Sequence, residues 1–244
     1  MKEERNNLRR PGGELASRPL HFFWVVDCSG SMFGEKIGTL NHAIQETVPE
    51  MVEAANDNPN AQLMVRTLQF STGASWVTAN PVKVEDFAWE DLEADGVTDM
   101  GKAFEMLSAQ LSVDQLGERA LPPVIVLLSD GQPTDDYKQE LANLLHQPWG
   151  KKSVRIAIAI GQDADMKVLS EFTGNRELVL QANNAATLTK MIKWASTVAS
   201  VVSAPASRIN ASDGSGESKE GSVAPAIFDM NNIPSPDEAG DGVW

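Results

Sequence analysis

Three stretches of this sequence are apolar almost throughout: LHFFWVVD (Leu20–Asp27), PPVIVLLSDG (Pro122–Gly131) and SVRIAIAIG (Ser153–Gly161). A strand with one wet face alternates polar and apolar residues. A continuous apolar run instead marks a strand covered on both faces, as in a parallel sheet flanked by helices. Helical periodicity fills the intervals. From Glu35 to about Ala55, Ile37, Leu40, Ile44, Val48, Met51 and Val52 recur at helical spacing, with Pro49 inside as a potential kink. TDMGKAFEMLSAQL (Thr98–Leu111) and TDDYKQELANLLH (Thr134–His146) are amphipathic, the second with Thr134 or Asp135 as its expected N-cap. AQLMVRTLQFS (Ala61–Ser71) reads as a strand, ASWVTA (Ala74–Ala79) as its hairpin partner at the edge, and ELVLQ (Glu177–Gln181) as the last strand. Asp86–Asp91 predicts a short helical turn, Met166–Phe172 a short helix and Ala185–Val202 a closing helix. Strands alternating with helices imply right-handed crossovers. The expected fold is α/β, a doubly wound, Rossmann-like, mostly parallel six-stranded sheet with one antiparallel edge strand and helices on both faces.

In such folds ligands sit beyond the carboxyl ends of the strands, where the winding direction reverses. Asp27 and Asp130 both close apolar runs and are therefore candidates to face one site. The stretch VVDCSGSMFG (Val25–Gly34) concentrates chemistry there: a carboxylate, two hydroxyls and two glycines. A cysteine-phosphatase loop needs an arginine six residues after Cys28, where Gly34 stands. A serine-hydrolase elbow needs glycines two before and two after the serine, and neither Ser29 nor Ser31 has both. No glycine-rich phosphate fingerprint is present, and carboxylates at two strand ends would repel phosphate. A hard cation such as Mg2+ remains, because Asp27, Ser29 and Ser31 occupy alternate positions of a strand-to-helix turn and offer three oxygens. Two neutral hydroxyls as ligands leave such an ion seeking an outside carboxylate. Cys28 is expected to alternate away into the core.

Charge narrows the partners. The net charge of −14 argues against nucleic acid and anionic membrane, both polyanions, and suits a cation or a basic protein. One cysteine excludes an internal disulfide and fits a reducing compartment. MKEERNNLRRPGGELASRPL lacks the apolar core of a signal peptide, and no run approaches the ~20 residues of a membrane span, so a cytoplasmic location is expected. We divide the chain into a charged leader (1–18), a folded domain (19–202) and a Ser/Gly/Pro-rich acidic tail (203–244) with seven acids against two bases. Disorder is the default reading for a tail of that composition.

Asp27-Cys28-Ser29-Gly30-Ser31 matches the D-x-S-x-S of von Willebrand factor A (vWA) domains, and the resemblance covers roughly Arg18 to Val202. It implies a metal-ion-dependent adhesion site completed by Thr98 of DGVTDMG and Asp130 of LLSDGQPTDD. The implied metal ligands are thus Asp27, Ser29, Ser31, Thr98 and Asp130. Ser29 and Ser31 would bind Mg2+ (or Mn2+) directly, Asp27 and Asp130 largely through water, and a partner Glu or Asp would complete the shell. RPLHFFWVVDCSGSMFGEKI, DFAWEDLEADGVTDMGKAFEML and VIVLLSDGQPTDDYKQEL look more narrowly like the bacterial TerY-like vWA proteins. That resemblance implies a Ser/Thr protein kinase and a PP2C-type phosphatase as associates, in tellurite resistance or another stress response. The expected function is a non-enzymatic, metal-dependent protein-interaction module. The alternatives are a metal-dependent phosphatase or hydrolase and a vWA subunit of an AAA+ or chelatase-type assembly.

The remaining chemistry-bearing residues take plainer readings. His21, His42 and His146 show no metal spacing. Asp99 is expected to be a helix-end charge, and Asp135 and Asp136 to favour a helix N-terminus. The tail offers Ser207, Ser212, Ser215, Ser218, Ser222 and Ser235 for phosphorylation, and Phe228 and Trp244 as anchors on a partner. Alternatively, its Asp229, Glu238 or Asp241 reaches the protein's own metal. The first is favoured here, since Trp244 has no role in the second.

Overall fold

The computed structural model describes residues 17–58 and 61–203. The sequence readings for the leader up to residue 16 and for the tail from residue 204 therefore lie outside the described residues. In chain order the elements are β1 (Arg18–Asp27), α1 (Glu35–Asn56), β2 (Ala61–Ser71), β3 (Gly73–Trp76), β4 (Val82–Lys83), α2 (Met100–Gln110), α3 (Val113–Leu116) and β5 (Val124–Ser129). They continue with α4 (Tyr137–His146), α5 (Pro148–Lys152), β6 (Val154–Ile160), α6 (Met166–Thr173), β7 (Val179–Ala182) and α7 (Ala185–Ser203).

The sheet runs β3-β2-β1-β5-β6-β7, with β4 also paired to β2. All pairings are parallel except those of β2 with β3 and β4. The six expected strands are present and a seventh, β4, is added. Its cause lies in lengths: β3 covers only Leu68–Ser71 of the long β2, so Met64 and Val65 are left to pair with Lys83 and Val82. The edge strand ends at Trp76 rather than at Ala79, because the chain turns away there. The guanidinium of Arg66 holds the carbonyls of Thr78 and Ala79 and stacks over the Trp76 ring at 3.6 Å.

β1 shows why its run is continuous. Phe22, Trp24 and Val26 enter one core with Leu40 and Ile44 of α1 and Leu188 and Ile192 of α7. Phe23 and Val25 enter the other with Phe104 and Leu107 of α2, Leu144 of α4 and Phe172 of α6. Each alternate side chain thus meets a helix layer, and from Leu20 onward no face of β1 is left for water. Cys28 is buried in the first core, as its alternation predicts.

Three local expectations are corrected. No helical turn forms over Asp86–Asp91; a 3-10 turn at Val84–Asp86 precedes an irregular stretch instead. Buried Asn41 of α1 explains this, since its amide bonds both the N–H and the C=O of Leu92 and accepts from the Trp89 indole. The short helices α3 and α5 have no counterpart in the periodicity reading. The N-cap position of α4 is Asp136, which makes no side-chain cap bond, while Asp135 is used elsewhere.

Candidate metal centre

β1 is the strand at which the winding reverses: β2 lies on one side of it and β5 on the other. Asp27 ends β1 and Asp130 directly follows β5, so the topology puts both carboxylates at the carboxyl-end crevice between neighbouring strands.

Asp27 is fully buried, and both of its oxygens are engaged. Oδ1 accepts from the Ser29 N–H at 2.9 Å and Oδ2 from the Ser129 hydroxyl at 2.6 Å. Burial pushes its carboxyl up to about 6, against the pull of those hydrogen bonds, and the charge of Asp130 adds to the rise. Ser29 and Ser31 face each other, Oγ to Oγ, at 3.0 Å. Ser29 is buried and Ser31 exposed, so the pair leads from the interior to the mouth.

Asp130 is also fully buried. Its Oδ1 accepts from the Gln132 N–H at 3.3 Å, but its Oδ2 is buried with no hydrogen-bond partner. Gly131 makes the position possible: its φ of 70° is left-handed, and an added Cβ would lie 2.9 Å from Leu169 Cγ. Its N–H donates to Ser129 Oγ at 2.8 Å. Ser129 therefore ties the β5 turn to Asp27. Sequence reasoning passed over it, although the serine before Asp130 was a visible signal.

Thr98 is held nearby by a different set of bonds. The Gly30 N–H donates to the Gly96 carbonyl at 3.0 Å and the Asp95 N–H to the Cys28 carbonyl at 2.8 Å, joining the loop before α2 to the loop after β1. The Thr98 N–H donates to Thr134 Oγ1 at 3.1 Å, and the Thr134 N–H returns a bond to the Thr98 carbonyl at 2.9 Å. Thr98 is buried. Of the five residues singled out in the sequence, Asp27 thus closes β1 and the other four fall on three loops that are hydrogen-bonded to one another at one end of the sheet.

Two acids beside these loops are structural. Asp135 accepts from the N–H groups of Gly101 and Lys102, at 2.9 and 3.1 Å, and so caps α2 from another loop. Gly101 permits this approach, since a Cβ there would lie 2.8 Å from Asp135 Oδ2. Asp99, which occupies the cap position of α2, turns its carboxylate to the Gly73 N–H at 2.8 Å instead.

The donor set fits a hard divalent cation. Among the described residues no three His, Cys, Asp or Glu side chains gather as a metal site. The candidates here are two carboxylates and three hydroxyls, all oxygen donors. The unpartnered oxygen of Asp130 carries the test. A buried carboxylate oxygen without a donor is costly, and a cation or its bound water removes that cost.

A family model described as the von Willebrand factor type A domain matches residues 23–194. No curated protein sequence is matched by this chain. Among solved structures, proximal thread matrix protein 1 from the mussel byssus is 19% identical at a TM-score of 0.55 over 77% of this chain and 50% of its own. A further structure of that protein is described with a zinc-occupied MIDAS motif. The pilus adhesin SpaC from Lactobacillus rhamnosus GG, in its open conformation, is 14% identical at a TM-score of 0.61 over 76% of this chain and 30% of its own. A von Willebrand factor type A structure from Catenulispora acidiphila is 16% identical at 0.54, over 75% and 43%. This chain spans half or less of the length of these three, and at such identities the likeness shows the fold.

Proposed function

This chain belongs to the von Willebrand factor type A domain family, and on that premise we propose that it is a non-enzymatic, metal-dependent protein-interaction module. Asp27, Ser29, Ser31, Thr98 and Asp130 would hold Mg2+, with Mn2+ as the alternative ion. Bound there, the ion supplies an electron-poor centre with a position open to an outside Glu or Asp carboxylate. Asp130 Oδ2, buried and without a partner, is the observation that carries this reading. The chain's own residues divide the remaining work. Ser129 and the Ser29 N–H fix the Asp27 carboxylate. The Gly30–Gly96 and Thr98–Thr134 bonds hold the three loops at one spacing. Ser31, exposed at the mouth, is the hydroxyl a partner meets first.

The zinc-occupied motif named for the mussel protein supports a divalent ion in this fold. The adhesin among the similar structures supports a recognition role. Among the described residues no helix is long and apolar enough to cross a membrane. The narrower likeness to TerY-like proteins supports a cytoplasmic setting with a Ser/Thr kinase and a PP2C-type phosphatase as partners, in a stress or tellurite response. It rests on sequence stretches alone.

Calorimetry on the purified chain tests the core of this reading. One weak Mg2+ or Mn2+ site is expected in the wild type and none in Asp27→Ala. Undiminished binding in the variant removes the assignment. A phosphatase assay on the same preparation is expected to show no turnover, and metal-dependent hydrolysis abolished by Asp27→Ala would favour the enzymatic alternative.

A further inference from the structure

Among the described residues only three large hydrophobic side chains are exposed: Phe33, Val97 and Val113. Single exposed apolar residues are ordinary on a protein surface. Two of these three, however, border the candidate metal centre. Phe33, at 77% exposure, closes the 3-10 turn that carries Ser31, and Val97, at 46%, directly precedes Thr98. The Gly30–Gly96 bond joins their two loops, so both belong to one rim. Acids are exposed at the same end of the sheet as well: Glu35 at the start of α1, Asp95 on the loop before α2 and Asp136 on the β5–α4 loop. Such a rim repels a densely acidic ligand and favours one carboxylate set among apolar groups.

The chain contains such a segment. Of the seven acids in residues 203–244, only Asp229 has large apolar residues on both sides, in Ile227-Phe228-Asp229-Met230. Asp229 is also the sole charged residue between Gly221 and Pro236.

Reach agrees with this. α7 begins beside the carboxyl ends of the strands and finishes at their amino ends, where Ala199 lines a small cavity with Leu20 and Leu63. Its 19 residues make the way back about 28 Å. Asp229 follows Ser203 by 26 residues, in a sequence rich in Ser and Gly. A chain of that length and composition has a root-mean-square extent of about 28 Å. A linker whose extent equals the span gives the highest effective concentration, roughly millimolar.

We propose that Phe33 and Val97 form an apolar collar selecting a carboxylate held between apolar side chains, and that residues 226–230 occupy the site in their own chain through Asp229. The inference rests on the metal reading above. It also reverses the sequence expectation for the tail, because the collar gives Phe228 a place at the protein's own site. A partner then binds by displacing this segment.

The probe is a labelled peptide of residues 222–235, titrated into full-length protein with saturating Mg2+. Asp229→Asn, whose own segment lacks the carboxylate, should bind it, and EDTA should abolish the binding. The wild type should bind it at least tenfold more weakly. Adding Phe33→Ser to Asp229→Asn should cost a further several-fold while Mg2+ binding by calorimetry stays unchanged. Equal peptide affinity in wild type and Asp229→Asn overturns the proposal. So does absence of peptide binding in both when calorimetry shows the ion bound. A wild type that is dimeric by light scattering, with a monomeric Asp229→Asn, assigns the segment to a second copy and overturns occupancy within one chain. A wild type that binds no Mg2+ at all strikes instead at the metal reading.

Discussion

Replacing Asp27 by Asn should stabilise the protein in EDTA at pH 7 while abolishing the proposed metal binding. The carboxyl is fully buried and is raised from 3.8 to about 6. The folded state therefore holds this proton more tightly than the unfolded chain does. Below about pH 4 the group is neutral in both states and costs nothing. As pH rises through 6 the folded state must carry a charge it disfavours, and a rise of that size corresponds to about 3 kcal/mol of lost stability. Asn keeps an acceptor for the Ser29 N–H but turns a donor toward the Ser129 hydroxyl, a loss of about 1 kcal/mol. The expected net gain at pH 7 is about 2 kcal/mol, or a rise in Tm of roughly 4–8 °C for a domain of this size. Near pH 4 that advantage should vanish or reverse slightly. Saturating Mg2+ should invert the order, since an ion at a hundred times its Kd adds about 2.7 kcal/mol to the wild type only. Urea denaturation at both pH values, with EDTA and with Mg2+, measures each of these contributions. A variant less stable than wild type at pH 7 in EDTA would refute the reasoning.

Three further outcomes follow from the same contacts. Ser129→Ala removes the hydroxyl that bonds Asp27 and accepts from Gly131, and should cost about 1–3 kcal/mol in urea denaturation with EDTA. Asp135→Ala uncaps α2 across the loop boundary and should cost about 1–2 kcal/mol, with earlier hydrogen exchange at the amides of Gly101 and Lys102. Once a partner is in hand, EDTA and Ser31→Ala should weaken its complex alike, and EDTA added to the variant should cost little more, because members of one network are not additive. Independent losses in that cycle would place the metal away from the interface.

Much of this molecule could be read from its residues because burial on two faces leaves a direct mark. From Phe22 to Val26 the β1 run has no polar position since alternate side chains serve opposite cores, and it ends at Asp27, where the strand gives way to the turn carrying Ser29 and Ser31. Four of the five candidate ligands stand out for a related reason, since Asp27, Ser29, Ser31 and Asp130 sit where an apolar run stops; Thr98 is marked only by the resemblance to vWA domains. What escaped were interactions between segments far apart in sequence. Asn41 organises the chain around Leu92, 51 positions away, and no local pattern announces an amide that replaces a helical turn. Asp135 looked like a cap for its own helix because spacing reports neighbours only; the Gly101 amide it bonds belongs to an element 34 positions earlier. The exposure of Phe33 was hidden likewise, since its apolar character argues for the core and only the closed turn around Ser31 turns it outward.

The borrowed cap has a consequence for modularity. Loops at the carboxyl end of a doubly wound sheet are usually treated as interchangeable parts, each replaceable without regard to the next. In this protein the β5–α4 loop carries the acid that starts α2, and Gly101 must stay bare to receive it. Transplanting either loop alone would leave a helix uncapped or a side chain in collision. The recognition surface should therefore diversify, in evolution or by design, through exchange of the two loops as a pair, while on the turn after β1, whose Gly30 is bonded to Gly96, the exposed side chain of Phe33 is the part left free to vary.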